Sequence, residues 1–286
     1  MTIPKDSIPK DSIPKNSIPK NPVVGALVEE WESLVALLGG LTPQQWGTAT
    51  DLPGWTVADN VAHMIGTERA LAGDPAPAGD EELAGRPHIR NDIGALNERW
   101  VESYRTCSPE EVLADFRRVT GTRAGALRAM SQVDFDADSW TPAGPGTYGR
   151  FMQIRVFDCW MHEQDIRSAL GRPGHDSGAC AEASLDEVVR ALGYIVGKKA
   201  GAPEGAVVTI DLQGEVNRQI HVAVDGRATV VDTPPRPATV TVTMPFGLFM
   251  RLAGGRVDPA AHQSEVAVTG DAELGQRLVA ALPYTI

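Results

Sequence analysis

Three side chains in this 286-residue chain have the types and spacing to hold a metal ion: His63, Asp158 and His162. Asp158 and His162 are four positions apart, and residues at that spacing project from one face of a helix. A carboxylate and an imidazole so placed can bite one ion, and a His from a facing helix supplies a third ligand, which is how helical bundles build metal sites in their cores. Two His and one carboxylate suit a divalent ion, zinc first, and leave a coordination position open, the mark of a catalytic site. An ion with an open position can bind a thiol and stabilise its thiolate at neutral pH. The spacing alone does not separate this reading from a hydrogen-bonded Asp–His pair, because Asp-x-x-x-His is common on helices.

Other groups compete for the role. Asp59 lies four residues before His63, but Thr56 and Asp59 have the spacing of a capping box, which gives Asp59 a structural use. Asp165 lies seven after Asp158 on the same face; it could orient a ligand from behind or pair with Arg155 or Arg172. His88, His175, His221 and His262 fall in loops or at strand edges and read as exposed or hydrogen-bonded. Cys107, Cys159 and Cys180 are widely spaced, with no CxxC pair, so a disulfide framework is not expected and a reducing compartment fits. Cys159 reads as a buried small hydrophobe.

The elements that position these residues follow from periodicity. Val24, Leu27, Val28, Trp31, Leu34, Leu37 and Leu38 recur at three and four residues and draw one helical stripe, stopped at Gly39-Gly40. Leu52-Pro53-Gly54-Trp55 is a turn, and a helix carrying His63 is predicted from Val57 to about Ala72. Residues 73–87 read as a surface loop. Further helices are expected over about 89–104, over 109–131 behind the strong start Ser108-Pro109-Glu110-Glu111, over 149–170 carrying Asp158 and His162, and over 181–199. Residues 134–148 read as turn-rich. Beyond Gly201 the pattern becomes β-branched: strands are expected at 206–212, 219–224, 228–231, 239–244 and 266–268, with Asp225-Gly226 as a hairpin turn. Short helices follow at 246–252 and 272–282. The expected organisation is a tail over 1–21, a helical metal-binding bundle over 22–200, and a smaller α+β domain over 201–286, an α+β protein in all.

The tail is a repeat. Ile-Pro-Lys recurs at Ile3, Ile8, Ile13 and Ile18, and a Pro every five residues forbids a regular helix, so 1–21 is read as a disordered, partly extended and dispensable extension, with an interaction arm as the alternative. No apolar run follows its lysines and no stretch reaches the roughly 18 apolar residues of a membrane span, so a cytoplasmic protein without a membrane partner is expected. The net charge of −11 repels phosphate backbones and argues against nucleic acid.

Leu41-Thr42-Pro43, Trp46, the run Leu52-Pro53-Gly54-Trp55-Thr56-Val57-Ala58-Asp59-Asn60-Val61-Ala62-His63, and Trp160-Met161-His162-Glu163-Gln164-Asp165-Ile166-Arg167 resemble the mycothiol-dependent maleylpyruvate isomerase family. Leu252-Ala253-Gly254-Gly255-Arg256 and Val268-Thr269-Gly270-Asp271-Ala272-Glu273-Leu274-Gly275 resemble its C-terminal domain. The likeness covers about residues 23–286. It implies a DinB-like four-helix bundle followed by a sterol-carrier-like α+β domain, and metal ligands of the types His, Glu and His. His63 and His162 match; Asp158 stands where Glu is expected, one methylene shorter. The resemblance also implies a catalytic Arg in the C-terminal domain, for which Arg256 is the best match and Arg251 the nearby rival. The implied activity is a metal-dependent isomerase or transferase that uses mycothiol, a small-molecule thiol, on a small electrophilic substrate. Gly- and Ala-rich composition suits an actinobacterial source. Two rival functions stand beside it: a metal-binding sensor or scaffold without catalysis, and a carrier holding an apolar ligand in the C-terminal domain.

Overall fold

The apolar stripe at Val24–Leu38 becomes the buried face of the first long helix, α1 (Lys20–Leu38). The computed structural model describes residues 17–79, 83 and 85–285, and the chain divides into two units, Met1–Pro173 and Gly174–Ile286. Residues 1–16 of the repeat, and 80–82 and 84 of the expected loop, lie outside the described residues. No helix among the described residues is long and apolar enough to cross a membrane.

In the first unit α1 is followed by a single-turn helix α2 (Pro43–Trp46), then α3 (Val57–Leu71), α4 (Asp92–Tyr104), α5 (Pro109–Ala129), a short α6 (Gln132–Phe135) and α7 (Tyr148–Leu170). α1 packs on α5 and α7, and α3 packs on α4, α5 and α7, so α1, α3, α5 and α7 form the bundle with α4 laid against α3. The starts are fixed by side chains: Thr42, Thr56, Ser108 and Ser131 each cap a helix and complete a capping box with Gln45, Asp59, Glu111 and Asp134. The close approach of α3 and α4 depends on Gly66, where a Cβ would come within 2.3 Å of Trp100.

Two segments differ from the sequence expectation. Residues 134–148 hold a two-stranded antiparallel hairpin, β1 (Asp138–Thr141) and β2 (Gly144–Thr147). The last repeat copy is ordered and is not part of a free tail. Ile18 is buried, Ser17 Oγ donates to Asp136 Oδ1 at 3.0 Å, Gln132 Nε2 donates to the Ile18 carbonyl at 2.9 Å, and Lys20 Nζ donates to the carbonyls of Arg128 and Met130 at 3.0 and 2.6 Å. Pro22 stands in the first turn of α1, where its missing N–H is not needed, so proline does not delay the helix.

The second unit opens with α8 (Gly178–Tyr194), whose last turn widens over Ile195–Lys199. Strands β3 (Val207–Gln213), β4 (Arg218–Asp225), β5 (Arg227–Val231), β6 (Val240–Pro245) and β7 (Ala267–Gly270) form one sheet in the order β5-β4-β3-β6-β7. β3 and β6 are parallel and the other pairs antiparallel. Gly226, at φ 68°, makes the expected hairpin turn between β4 and β5. β6 alternates as its sequence does, with Val240, Val242 and Met244 buried. Helices α9 (Phe246–Ala253) and α10 (Ala272–Ala281) complete the unit. α8 lies in this unit and not in the bundle to which its sequence position assigned it, because Gly193 and Gly197 let it close on β5: a Cβ at either would meet Ala228 at 2.7 or 2.8 Å.

Candidate metal centre

The turn before α3 is built to aim that helix. Gly54 takes φ 82°, Trp55 N donates to the Leu52 carbonyl at 3.0 Å, and Thr50 N donates to the Trp55 carbonyl at 3.0 Å. Asp59 Oδ2 then accepts from both the N–H and the hydroxyl of Thr56, each at 2.8 Å. Asp59 is thus committed to the cap. His63, two turns in, faces α7, where Asp158 and His162 stand one turn apart. His63 Nε2 lies 3.2 Å from Asp158 Oδ2, and His162 Nε2 lies 3.6 Å from Asp158 Oδ1. One ligand atom from each of the three falls within 4.8 Å of the others. Both imidazoles are buried, while the Asp158 side chain keeps 30% exposure and opens the cluster to solvent.

Asn60 fixes the tautomer of His162. Its Nδ2 donates to the Thr56 carbonyl at 2.9 Å and to Thr50 Oγ1 at 3.2 Å. A carbonyl only accepts, so Asn60 Oδ1 must be the atom facing His162 Nδ1, 2.8 Å away, and that nitrogen must carry the hydrogen. Nε2 of His162 is therefore left with its lone pair towards Asp158 and His63. Asp165 Oδ2, 3.5 Å from Nδ1, supports the same state. His63 has no such partner: its Nδ1 is buried and makes no hydrogen bond among the described residues. Two nitrogens and a carboxylate converging on one point, one nitrogen oriented through its far side, are a donor set that fits a divalent ion.

Charge behind the cluster is balanced by a buried chain. Glu68 is wholly buried and accepts from Arg155 Nε and from Arg123 Nε, both at 2.9 Å. Arg155 Nη1 donates to Asp158 Oδ2, and Arg123 Nη2 donates to Tyr148 Oη at 2.7 Å. Burial resists the charge on Asp158, but Arg155 and the two imidazoles outweigh it and hold the carboxyl well below its usual range. Burial lowers the His63 pKa, and Asp158 only partly offsets it. At His162 burial is overcome by Asp158 and Asp165, and the pKa rises. Arg155 Nη2 also lies 3.2 Å from Cys159 Sγ, a fully buried thiol that burial pushes above its ordinary pKa.

The structure thus brings His63, Asp158 and His162 together, and sets Arg155 against Asp158 and Glu68. Arg256 belongs to the second unit, where its Nη1 donates to the Gly254 carbonyl at 2.6 Å; Arg251 stands in the last turn of α9 in the same unit. His88 contacts Glu98, His221 contacts Thr209 and His262 contacts Glu265, as satisfied polar groups do. Sequence reasoning missed Asn60 as an orienting group. The available signal was its position three before His63, on the same helical face.

Two domain families match the chain: one described as the mycothiol maleylpyruvate isomerase N-terminal domain over residues 27–167, and one described as the C-terminal domain of the same proteins over residues 182–277. Two Mycobacterium tuberculosis proteins, one from each of two strains and both named as uncharacterized, are 30% identical over 151 residues, 52% of this chain and 57% of theirs. The match therefore spans little more than half the length of those relatives. A crystal structure of a mycothiol-dependent maleylpyruvate isomerase is 16% identical, with a TM-score of 0.55 over 90% of this chain and 96% of that one. A mutant of that enzyme matches equally, at 17% identity. These two share the fold.

Proposed function

We propose a function from one premise: the chain belongs to the mycothiol-dependent maleylpyruvate isomerase family, whose N- and C-terminal domains it carries in order. The protein is a metal-dependent isomerase or transferase that uses mycothiol on a small electrophilic substrate. The observation that supports this is the convergence of His63, Asp158 and His162 with the His162 tautomer already set by Asn60.

With a divalent ion and a thiol bound, such a site supplies a nucleophilic thiolate at neutral pH, suited to reversible addition at an activated double bond or to lasting capture of an electrophile. His63 and His162 would ligate through Nε2 and Asp158 through a carboxylate oxygen; zinc is the ion this donor set suits first. Asn60 keeps the proton of His162 on Nδ1. Arg155, donating through Nη1 to Asp158 Oδ2, restrains the carboxylate against rotation. Arg256 is the proposed anchor for a substrate carboxylate, which a guanidinium holds at two points.

The test is metal analysis of the purified protein followed by turnover of a panel of small electrophiles, conjugated carboxylic acids among them, with and without mycothiol. About one divalent ion per chain and strictly thiol-dependent turnover are expected from the three-ligand set. Absence of metal, or turnover undiminished without thiol, overturns the proposal.

A further inference from the structure

The indole of Trp55 stands beside the candidate centre and offers it no ligand atom. Its ring centroid lies 5.3 Å from that of His63 and 5.9 Å from that of His162, tilted by 38° and 34°. The two imidazoles meet edge to face at 4.7 Å. One aromatic surface therefore touches both histidines of the candidate centre, and it stays half-exposed.

That ring is held twice. Its backbone is clamped by the Leu52 and Thr50 hydrogen bonds of the turn. Its Nε1 donates to Glu98 Oε2 at 2.9 Å. Glu98 is wholly buried on α4 and also receives Arg86 Nη1 at 2.5 Å, His88 Nε2 at 3.1 Å and Arg105 Nη2 at 3.4 Å. The cluster closes around Gly54, where a Cβ would come within 2.9 Å of His88 Nδ1. A buried charge cluster contributes little net stability compared with an apolar replacement. What this one fixes is direction, namely that of the indole N–H and hence of the ring plane. Groups locked from behind in this way are how a site keeps a surface in place for a ligand.

We infer that Trp55 is a positioning residue which walls the exposed side of the candidate metal centre, with its plane set by Glu98, so that the body carried by the thiol's sulfur lies against the indole. This rests on the metal-and-thiol reading. It makes Trp55 a determinant of which thiol is accepted: a bulky thiol gains the indole surface, whereas a small one gains only the contact through sulfur.

The experiment uses full-length protein loaded with Co(II), as wild type and as Trp55→Phe, Trp55→Leu and Glu98→Gln. Metal affinity is measured first. Each protein is then titrated with mycothiol and with cysteine, following the sulfur-to-cobalt absorption band. Trp55→Leu should weaken mycothiol about tenfold, the scale that loss of a well-placed aromatic contact supports. Trp55→Phe should keep part of the affinity, and Glu98→Gln should fall between wild type and Trp55→Leu. Cysteine binding and metal affinity should stay near wild type in all three. Mycothiol affinity unchanged in Trp55→Leu overturns the inference, and so does loss of metal together with thiol, which would make Trp55 merely structural. Should Glu98→Gln fail to fold, the two Trp55 variants decide the matter. A wild-type protein that binds no metal, or shows no sulfur band, brings down the underlying functional reading instead, and does so before any variant is compared.

Discussion

His162 Nδ1 donates to Asn60 Oδ1 at 2.8 Å, although the two residues stand 102 positions apart. The orientation of the amide is dictated by the Thr56 carbonyl on its other side. The cap that starts α3 thus also decides which nitrogen of a histidine on α7 is free.

Metal content should follow that geometry. His63→Ala and His162→Ala should each lose most of the bound divalent ion. Asn60→Ala, which removes only the orienting group, should weaken metal binding by about 10–100-fold, the usual effect of losing a partner behind a ligand. Chelator competition on the folded variants measures this. Full metal content in both histidine variants would remove the site.

Substrate anchoring is tested at Arg256. Arg256→Ala should abolish thiol-dependent turnover with metal binding intact, and Arg256→Lys should restore little, since an ammonium cannot make a planar two-point contact with a carboxylate. Full activity in the alanine variant would place substrate recognition elsewhere.

The charge cluster behind Trp55 sets an acid limit on stability. Burial alone would raise the Glu98 pKa, but hydrogen bonds from Trp55, His88 and Arg86 outweigh it and the pKa is lowered. A carboxylate lowered in the folded state contributes stability above its unfolded pKa, about 4.3 for Glu, and loses it as pH falls through the folded value. Wild type should therefore lose stability more steeply than Glu98→Gln below about pH 4.3, in denaturant titrations at stepped pH. Parallel pH profiles would show that the cluster does not depend on the charge of Glu98.

Gly66→Ala should destabilise. In an open helix interior the change to Ala gains about 1 kcal/mol. Here the new Cβ would lie 2.3 Å from Trp100 Cβ and Cγ, and such overpacking costs about 1–3 kcal/mol. A urea midpoint at or above wild type would mean that α4 can move aside.

Removal of residues 1–21 should lower stability by about 1.5–3 kcal/mol, the value of burying an Ile side chain, because Ile18 and the Lys20 contacts go with it. An unchanged melting temperature would return the whole repeat to the role of a dispensable extension.

Most helices and strands were legible because their signals are local. The Thr56–Asp59 box, the Ser108-Pro109 start and the Thr–Val alternation of β6 act within a few residues. The β1–β2 hairpin looks like turn in the sequence because Pro142, Gly144, Pro145 and Gly146 dominate its composition, and only pairing across the turn reveals strands. The placement of α8 with the sheet was hidden in two glycines whose meaning appears only beside Ala228. His63, Asp158 and His162 could be proposed from spacing and resemblance together. The buried charges around them could not: Glu68 and Arg155 behind Asp158, and Glu98 behind Trp55, look like ordinary surface charges of amphipathic helices, and the paired residues are 87 positions apart for Arg155 and Glu68 and 43 for Glu98 and Trp55.

Cys159 directly follows Asp158, a hazardous place for a thiol in a protein proposed to bring electrophiles beside an activated sulfur. It has no exposed surface, and burial pushes the thiol's pKa up despite the neighbouring Arg155 guanidinium. A protonated, enclosed sulfur is a poor nucleophile. On the proposed chemistry, an electrophile brought to this centre would meet no reactive thiol beside Asp158: packing would hold off self-inactivation without a cysteine-free helix.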